Sequence, residues 1–408
     1  MPSLFSGTAF FLPALHCFNP CYIFNFVEHR IKLMKKYHFL LGILLFFFTF
    51  KGYGRTIKGM WVVRYALKEP QQIERLIDVS QQIGCTDLFV QVWAKGLFLM
   101  RYPRLPEKQI LAADPVFHNL QDLIASAHRR GIRVHAWLNV LNIWSGSNRP
   151  QIKEHIFFKE RQHIFQKDGG ARLPEYSSIL KDGGDGYFIS PASNYNLSLL
   201  KELIHYLDRR LHMDGIHLDY FRLPGGYYLF SQTSRSEYIL QNYFDPLTFF
   251  SLNDSQPKQQ AATGRQRMQY RQFLSRQLTL LLTQIQDYVK SVNRELVLSI
   301  AVKPDLYRAR FNYLQYWDEW LDAGLCDLII PMNYVPDDTA FRHNMNLALQ
   351  QEHPEKIAIG ISTYNQTERM VKEKIKLVAQ TPFRGYVLFS FNDLSGKLHN
   401  EYVIRYFK

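Results

Sequence analysis

Eight short apolar runs alternate with longer amphipathic stretches between residues 59 and 393, and this alternation limits the fold more than any other feature. The runs are rich in Val, Ile, Leu and Phe, as expected for parallel strands that helices cover on both faces. Eight strand–helix alternations in succession favour a closed barrel over an open sheet, so we predict a single α/β domain, a (β/α)8 TIM barrel. The predicted strands are 59–65, 87–93, 133–140, 215–223, 295–303, 327–334, 356–364 and 385–393.

Two long insertions, residues 141–192 and 225–265, follow the third and fourth predicted strands. They therefore rise from the C-terminal face, where barrels of this class place their active sites, and loops of this length are usually functional or disordered. The second insertion is too aromatic for plain disorder, so we interpret both insertions as walls of a cleft. Its aromatic residues are Tyr227, Tyr228, Phe230, Tyr238, Tyr243, Phe244, Phe249 and Phe250.

The first 54 residues have the pattern of a targeting segment. Lys35 and Lys36 precede an apolar run, Phe39 to Phe50, that is short for a membrane span of ~20 residues and typical of a secretory signal. Because Met34 directly precedes the two lysines, we interpret 1–33 as an upstream extension outside the native protein, 34–54 as a signal peptide and 55–408 as the barrel. An uncleaved N-terminal anchor is the alternative. We expect an exported protein, periplasmic, extracellular or membrane-anchored, with membrane contact only through that segment.

Charge and motifs exclude several classes of function. The formal net charge is +13, but the basic residues are scattered, which indicates solubility or weak attraction to anionic polymers rather than nucleic-acid binding. No Gly-rich phosphate loop occurs, and no cofactor is expected. His135, His217 and Asp219 could converge on a metal. Without a His-x-His pair or a Cys/His cluster, however, we expect no metal site and interpret the two imidazoles as hydrogen-bonded core groups.

The segment from Met213 to Pro224 carries the densest chemistry. Strand alternation places His217 and Asp219 on the inward face, with Asp219 near the C-terminal mouth. A carboxylate there is costly unless it has partners or a task. It is either a general acid/base or nucleophile, or a structural group that accepts hydrogen bonds from Arg222, Tyr220 or the following loop.

Polar–aromatic pairs on the second and third strands suit a sugar, because an indole ring offers an apolar stacking face and an amide binds hydroxyl groups. These pairs are Gln91 with Trp93, and Trp137 with Asn139. Barrel interiors are normally filled by branched aliphatic side chains, so two such pairs on adjacent strands favour a binding site. The other predicted substrate-binding residues are Arg64, His217, Arg222, Lys303, Asn333, Tyr334, Tyr364 and Asn392.

Six segments together resemble the glycosyl hydrolase-like 10 family of bacterial envelope and secreted proteins, in the same order and over essentially all of 57–395. They are Gly59-Met-Trp-Val-Val-Arg64, Leu88-Phe-Val-Gln-Val92, His135-Ala-Trp-Leu-Asn139, Asp214-Gly-Ile-His-Leu-Asp-Tyr220, Pro331-Met-Asn-Tyr334 and Leu388-Phe-Ser-Phe391. The resemblance implies a glycoside-hydrolase barrel with Asp219 as the leading catalytic carboxylate. Many relatives carry a second acid directly after that Asp, where this chain has Tyr220. They also carry Asp-Pro or Asn-Pro before the third helix, where this chain has Ser190-Pro191.

Glycoside hydrolysis generally needs two carboxyl groups. Asp305, just past the fifth strand, is the first choice for the second one, although it could equally cap the next helix. Asp393 follows, and the loop acids Asp182, Asp185 and Asp245 stay open. We predict a glycoside hydrolase that acts on a bacterial or environmental polysaccharide, with Asp219 as acid/base or nucleophile. A barrel protein that binds glycan without cleaving it is the alternative.

Overall fold

A ring of parallel strands forms the centre of the molecule, for which a computed structural model describes residues 55–99, 115–167, 172–225, 228–251 and 257–393. Eight of the described strands follow one another around the ring. Single bridges from Ile329 to Ile357 and from Met332 to Gly360 close it. The predicted barrel is confirmed. The strands are β1 (Ile57–Val62), β2 (Asp87–Ala94), β3 (Leu97–Phe98), β4 (Arg133–Asn139), β5 (Asn142–Trp144), β6 (Tyr187–Phe188), β7 (Gly215–Asp219), β8 (Val297–Val302), β9 (Leu328–Pro331), β10 (Ala358–Ser362) and β11 (Gly385–Phe389). The order around the ring is β1, β2, β4, β7, β8, β9, β10 and β11.

Helices cover the outside of the ring and build the insertions. Most begin at a side chain that suits a helix start, such as Pro70 in the first turn or Ser193, whose hydroxyl accepts a hydrogen bond from the Asn196 amide. The described helices are α1 (Pro70–Gln82), α2 (Pro115–Arg129), α3 (Ile156–Lys159), α4 (Tyr176–Lys181), α5 (Asn194–Arg209), α6 (Gln232–Asn242), α7 (Pro246–Ser251), α8 (Pro257–Val292), α9 (Leu306–Tyr313), α10 (Trp317–Asp322), α11 (Asp338–Leu349) and α12 (Glu368–Ala379).

The interior of the ring is a small aromatic core, separate from the large aliphatic core between sheet and helices. Its buried members are Ile57, Trp61, Phe89, Trp137, Leu328, Ile330, Ala358 and Val387. Large rings fit because β1 carries a glycine at position 59, where an added Cβ would lie 2.9 Å from both Phe89 and Val387. The rings fill the barrel below its C-terminal mouth.

Two buried histidines lie in this interior, as expected for core imidazoles. His135 Nε2 lies 2.8 Å from Oδ1 of Asp87, at the N-terminal end of β2. One layer higher, His217 Nε2 accepts a hydrogen bond from the Trp61 indole (3.0 Å), and its Nδ1 lies 2.9 Å from the Ser299 hydroxyl. Both nitrogens of His217 are thus engaged within the protein, and the side chain is fully buried.

The second insertion, predicted to form a cleft wall, buries most of its described aromatic rings. Tyr228, Phe230, Tyr238 and Phe249 are buried, and the rings of Phe230 and Tyr238 lie 5.4 and 5.0 Å from that of Tyr270 on α8. Phe230 and Tyr238 thus pack against α8 and belong, with Tyr270, to the large core between sheet and helices. Tyr243 and Phe244 are exposed, and Tyr227 lies outside the described residues.

The predicted signal segment, residues 34–54, also lies outside the described residues. Within the described ranges, none of the helices combines the length and the apolar character needed to cross a bilayer.

Candidate active site

Asp219 is the last residue of β7 and lies at the C-terminal mouth of the barrel. The next residue, Tyr220, adopts a left-handed conformation (φ 49°), which ends the strand at Asp219. Asn139 occupies the matching position on the neighbouring β4. Within the described residues the amide oxygen of Asn139 has no hydrogen-bond partner, although it is buried. A buried acid and an unpaired amide oxygen therefore stand side by side at the mouth.

Two donors hold the Asp219 carboxylate. The Tyr220 amide donates to Oδ1 at 2.6 Å, and the Trp137 indole donates to Oδ2 at 3.1 Å. Burial raises the pKa of Asp219 above its ordinary value, against the opposing effects of these hydrogen bonds and of the charges on Arg222 and Lys303. A carboxyl group of this kind keeps its proton to higher pH, as a general acid requires.

Arg222 lies beside Asp219 in an aromatic cage. Its guanidinium carbon is 4.7 Å from the ring centroid of Tyr313, 5.0 Å from that of Tyr220 and 5.2 Å from that of Phe188. One terminal nitrogen donates to the Leu223 carbonyl, and the other forms an ion pair with Asp185. The cage fixes the planar group, so it can position a carboxylate.

Asp185 is the loop acid that the fold brings into this cluster. It lies in the first insertion, immediately before Gly186 and β6, and its side chain is 45% exposed. Asp185 and Asp219 both raise the pKa of Tyr220 and both act on the ammonium group of Lys303. A second carboxyl group therefore shares the electrostatic surroundings of Asp219, with solvent access that Asp219 lacks.

Lys303 follows β8 at the same mouth. Its ammonium group lies 4.9 Å from the ring centroid of Tyr313, and its backbone amide donates to the Gln315 side chain at 2.9 Å. Burial, followed by the charge of Arg222, lowers the pKa of Lys303. Two cations, Arg222 and Lys303, thus share the mouth with the carboxylates of Asp185 and Asp219.

Aromatic rings form the floor and one side of the mouth. The rings of Tyr334 and Phe389 stack at 5.3 Å, and Trp137 and Tyr364 meet the same Phe389 edge-on at 6.3 and 6.2 Å. Tyr364 is 44% exposed. These faces suit contact with the apolar side of a sugar ring.

Four of the predicted substrate-binding residues have contacts within the protein that account for their positions. His217 is buried one layer below the mouth with both nitrogens engaged. Trp93 is fully buried in the core between sheet and helices, because a register shift between Gln91 and Trp93 interrupts the alternation along β2. Asn333 lies beyond the end of β9 and bonds Phe341 and Asn344 on α11, whereas Asn392 accepts the Val63 amide at 2.8 Å.

Asp305 has a structural role at the start of α9. Its carboxylate caps α9 by accepting the Arg308 amide at 2.9 Å, which is the alternative that its position suggested. Asp393 accepts the Ser390 hydroxyl, and Asp245 pairs with Arg235 in the second insertion. Arg64, Gln91, Asn139, Trp137, Arg222, Lys303, Tyr334 and Tyr364 stay as predicted substrate-binding residues at the ends of barrel strands.

Sequence reasoning left Asp185 as one open alternative among five acids and missed Tyr313 and Phe389. Asp185 precedes Asp219 by 34 positions in an insertion, so no local spacing relates the two. Phe389, the last residue of β11, could have been found from its place at a strand end. No group of three or more His, Cys, Asp or Glu side chains able to hold a metal occurs among the described residues.

The sequence is similar to glycosyl hydrolase-like proteins. The profile of the glycosyl hydrolase-like 10 family matches residues 56–380. The glycosyl hydrolase DigH of Escherichia coli (strain K12) is 22% identical over 169 residues, which is 40% of this chain and 37% of that protein. The chain thus matches little more than a third of this curated relative.

Two solved structures share the barrel. The glycoside hydrolase domain of PgaB (BpsB) from Bordetella bronchiseptica superposes with a TM-score of 0.63 at 14% identity, over 86% of this chain and 98% of that one. Gan42B, a GH42 beta-galactosidase from G. stearothermophilus, gives a TM-score of 0.58 at 9% identity, over 86% and 56%. At such identities the likeness concerns the fold.

Proposed function

We propose that this chain, which belongs to the glycosyl hydrolase-like 10 family, is exported and hydrolyses the O-glycosidic bonds of a bacterial or environmental polysaccharide. The observation that carries the proposal is Asp219, a buried carboxyl group with a raised pKa at the C-terminal mouth of the barrel. Barrels of this class place their catalytic groups at the ends of the strands on that face.

Asp219 acts as the general acid. It donates its proton to the oxygen of the bond that breaks, and the Trp137 indole and Tyr220 amide then stabilise the carboxylate that forms. Because both donors are fixed by the barrel, they need no rearrangement during the reaction.

Asp185 is the second carboxyl group, as nucleophile or as the base that activates water. Its side chain is 45% exposed and forms an ion pair with Arg222, so it lies against a cation and within reach of solvent. The two acids thus occupy different surroundings, which is the usual way in which a pair of carboxyl groups divides the acid and base roles.

Glycan binding without cleavage is the second candidate function. It is favoured by the engagement of Asp185 with Arg222 and by the cap that Asp305 forms on α9, since both acids have structural contacts. The aromatic floor of Tyr334, Tyr364 and Phe389 serves binding in either case.

A glycan panel separates the two functions. The full chain is incubated with neutral, cationic and anionic polysaccharides, and reducing ends and bound polymer are measured on the same samples. Release of reducing ends from a bound polymer supports hydrolysis, whereas binding without release supports the alternative. N-terminal sequencing of the chain recovered from outside the cytoplasm tests export and cleavage near residue 54.

A further inference from the structure

Three cationic side chains lie together at the C-terminal ends of β1 and β2. Arg64 begins a 3₁₀ turn (Arg64–Leu67) after β1, Lys68 follows that turn, and Lys95 lies in the two-residue turn between β2 and β3. We call Arg64, Lys68 and Lys95 the basic rim. Because β1, β2, β4 and β7 are successive in the ring, the basic rim lies on the same face as Asp219, roughly 14 Å along the sheet at ~4.8 Å per strand.

The basic rim surrounds aromatic rings rather than carboxylates. The Arg64 guanidinium carbon lies 5.3 Å, and the Lys68 ammonium group 5.1 Å, from the ring centroid of Tyr65, and Lys95 lies 5.5 Å from that of Trp144. The positive charge of Arg64 is the main cause of a lowered pKa of Tyr65, and Lys95 and Lys68 add to it. Within the described ranges no carboxylate, that of the neighbouring Glu69 included, forms an ion pair with the basic rim.

Burial of the Arg64 side chain lowers the stability of the protein. The side chain is 7% exposed, and among the described residues its Nε and Nη1 atoms have neither a hydrogen-bond partner nor access to solvent. A buried charge without a counter-ion lowers stability, and such groups occur where a task explains them. An anion beside the basic rim would compensate this charge.

The position of Lys95 is fixed before any ligand binds. Lys95 and Gly96 both have positive φ values (54° and 63°), the conformation of a type I′ turn, which a lysine adopts only at a cost. His155 Nε2 donates to the Lys95 carbonyl at 2.8 Å, and a Cβ on Gly96 would lie 2.8 Å from the same nitrogen. The first insertion thus clamps the turn, and no other side chain than glycine fits at position 96 without displacing His155.

We propose that the basic rim binds an acidic substituent, a carboxylate or a sulfate group, of a saccharide unit in the same cleft as Asp219. Trp144 supplies an apolar face beside Lys95 for the sugar ring. The inference rests on the proposed function in that the ligand is a glycan, and it narrows that glycan to an acidic one.

The test measures binding by the full chain carrying Asp219→Asn, so that no polymer is cleaved. The probes are polygalacturonate with its neutral carboxyl-reduced form, and dextran sulfate with dextran, each followed by affinity electrophoresis at low and high salt. We expect one or both acidic polymers to bind more tightly than their neutral forms. Preference for one of them identifies the anion, and binding of both indicates a site that accepts either group.

Substitutions in the basic rim assign that preference to these residues. Arg64→Gln should weaken binding of the acidic polymer about 10-fold, and Lys68→Ala and Lys95→Ala about 3-fold each, and each variant should lose less affinity for the neutral polymer. The matched control is Lys201→Ala, which removes an ammonium group 5.4 Å from the Tyr288 ring on the helical outside of the barrel. Arg64→Gln should melt at the same temperature as the chain with Arg64, or at a higher one. If Arg64→Gln does not fold, the binding measured for Lys68→Ala and Lys95→Ala decides the test.

Three results would overturn the inference: equal binding of acidic and neutral polymers, no binding of any probe, or variants of the basic rim that behave like Lys201→Ala. Failure of the proposed function gives a different result, namely charge-dependent binding by the native chain without release of reducing ends from any polymer.

Discussion

The Trp137 indole donates a 3.1 Å hydrogen bond to Oδ2 of Asp219 across the β4–β7 pair. This hydrogen bond lowers the pKa of Asp219 and so limits the rise that burial causes. It also fixes the orientation of the carboxyl group before substrate arrives.

Trp137→Phe should move the alkaline limb of kcat/KM to higher pH. The hydrogen bond favours the charged carboxylate, so its loss raises the pKa of Asp219 by roughly 0.7 unit for an interaction of ~1 kcal/mol. The general acid then stays protonated to higher pH. Trp61→Phe is the matched control, because it removes an indole hydrogen bond to His217 instead. An unchanged limb in Trp137→Phe, or an equal shift in both variants, contradicts the role of Trp137.

Asp185→Asn should lower kcat by about 100-fold or more, since a nucleophile or base contributes on that order. Its effect on unfolding free energy should stay near 1 kcal/mol, because the carboxylate is half exposed. Asp182→Asn is the control, a loop acid three positions earlier that bonds Lys167 and Tyr228. If Asp185→Asn loses stability and keeps its kcat, Asp185 only fixes Arg222.

Asp305→Ala should lower the unfolding free energy by about 1 kcal/mol and leave kcat/KM close to wild type. The loss comes from the helix cap, which the carboxylate provides through the Arg308 amide. Asp305→Asn keeps a capping oxygen and should recover most of the stability. A stable Asp305→Asn protein without activity would restore Asp305 as a catalytic carboxylate.

Asp87 should make the barrel sensitive to acid. Burial alone would raise its pKa, but the hydrogen bond and charge of His135 and the charge of Arg133 outweigh it and lower the pKa to about 2. The stabilisation is therefore complete above about pH 4 and is lost as pH falls towards 2, an amount of roughly 2 kcal/mol. Asp87→Asn should lack this part of the acid-unfolding curve, whereas Asp78→Asn, at an exposed acid, should keep it. Parallel curves for wild type and Asp87→Asn would contradict the assignment.

The order of strands and helices was predictable from the sequence, because hydrophobic periodicity reports directly on burial. Gly215 to Asp219 illustrates this: inward and outward positions alternate as predicted, and Asp219 lies at the mouth. The strand ends were less certain. Alternation was extended to residue 223, whereas Tyr220 turns left-handed and ends β7 at Asp219.

The positions of Trp93 and Asn333, which alternation alone did not predict, have causes in the backbone and in distant contacts. A bulge after Gln91 turns Trp93 outward, and the early end of β9 frees Asn333 to bond α11. Neither event has a signal in residue type alone. The approach of Asp185 to Arg222 depends on how the first insertion folds over the mouth, which local pattern does not encode.

The kinetics of Asp219→Asn test the central claim most directly. The change keeps the size of the side chain and an oxygen that can accept from Trp137 or Tyr220, but it removes the transferable proton. Reducing-end release from a susceptible polysaccharide and thermal unfolding should be measured on the same preparation. We predict that release falls by at least about 100-fold while the melting temperature stays near that of wild type. An unaltered rate of release in a folded Asp219→Asn protein would contradict the account, because Asp219 would then take no part in bond cleavage.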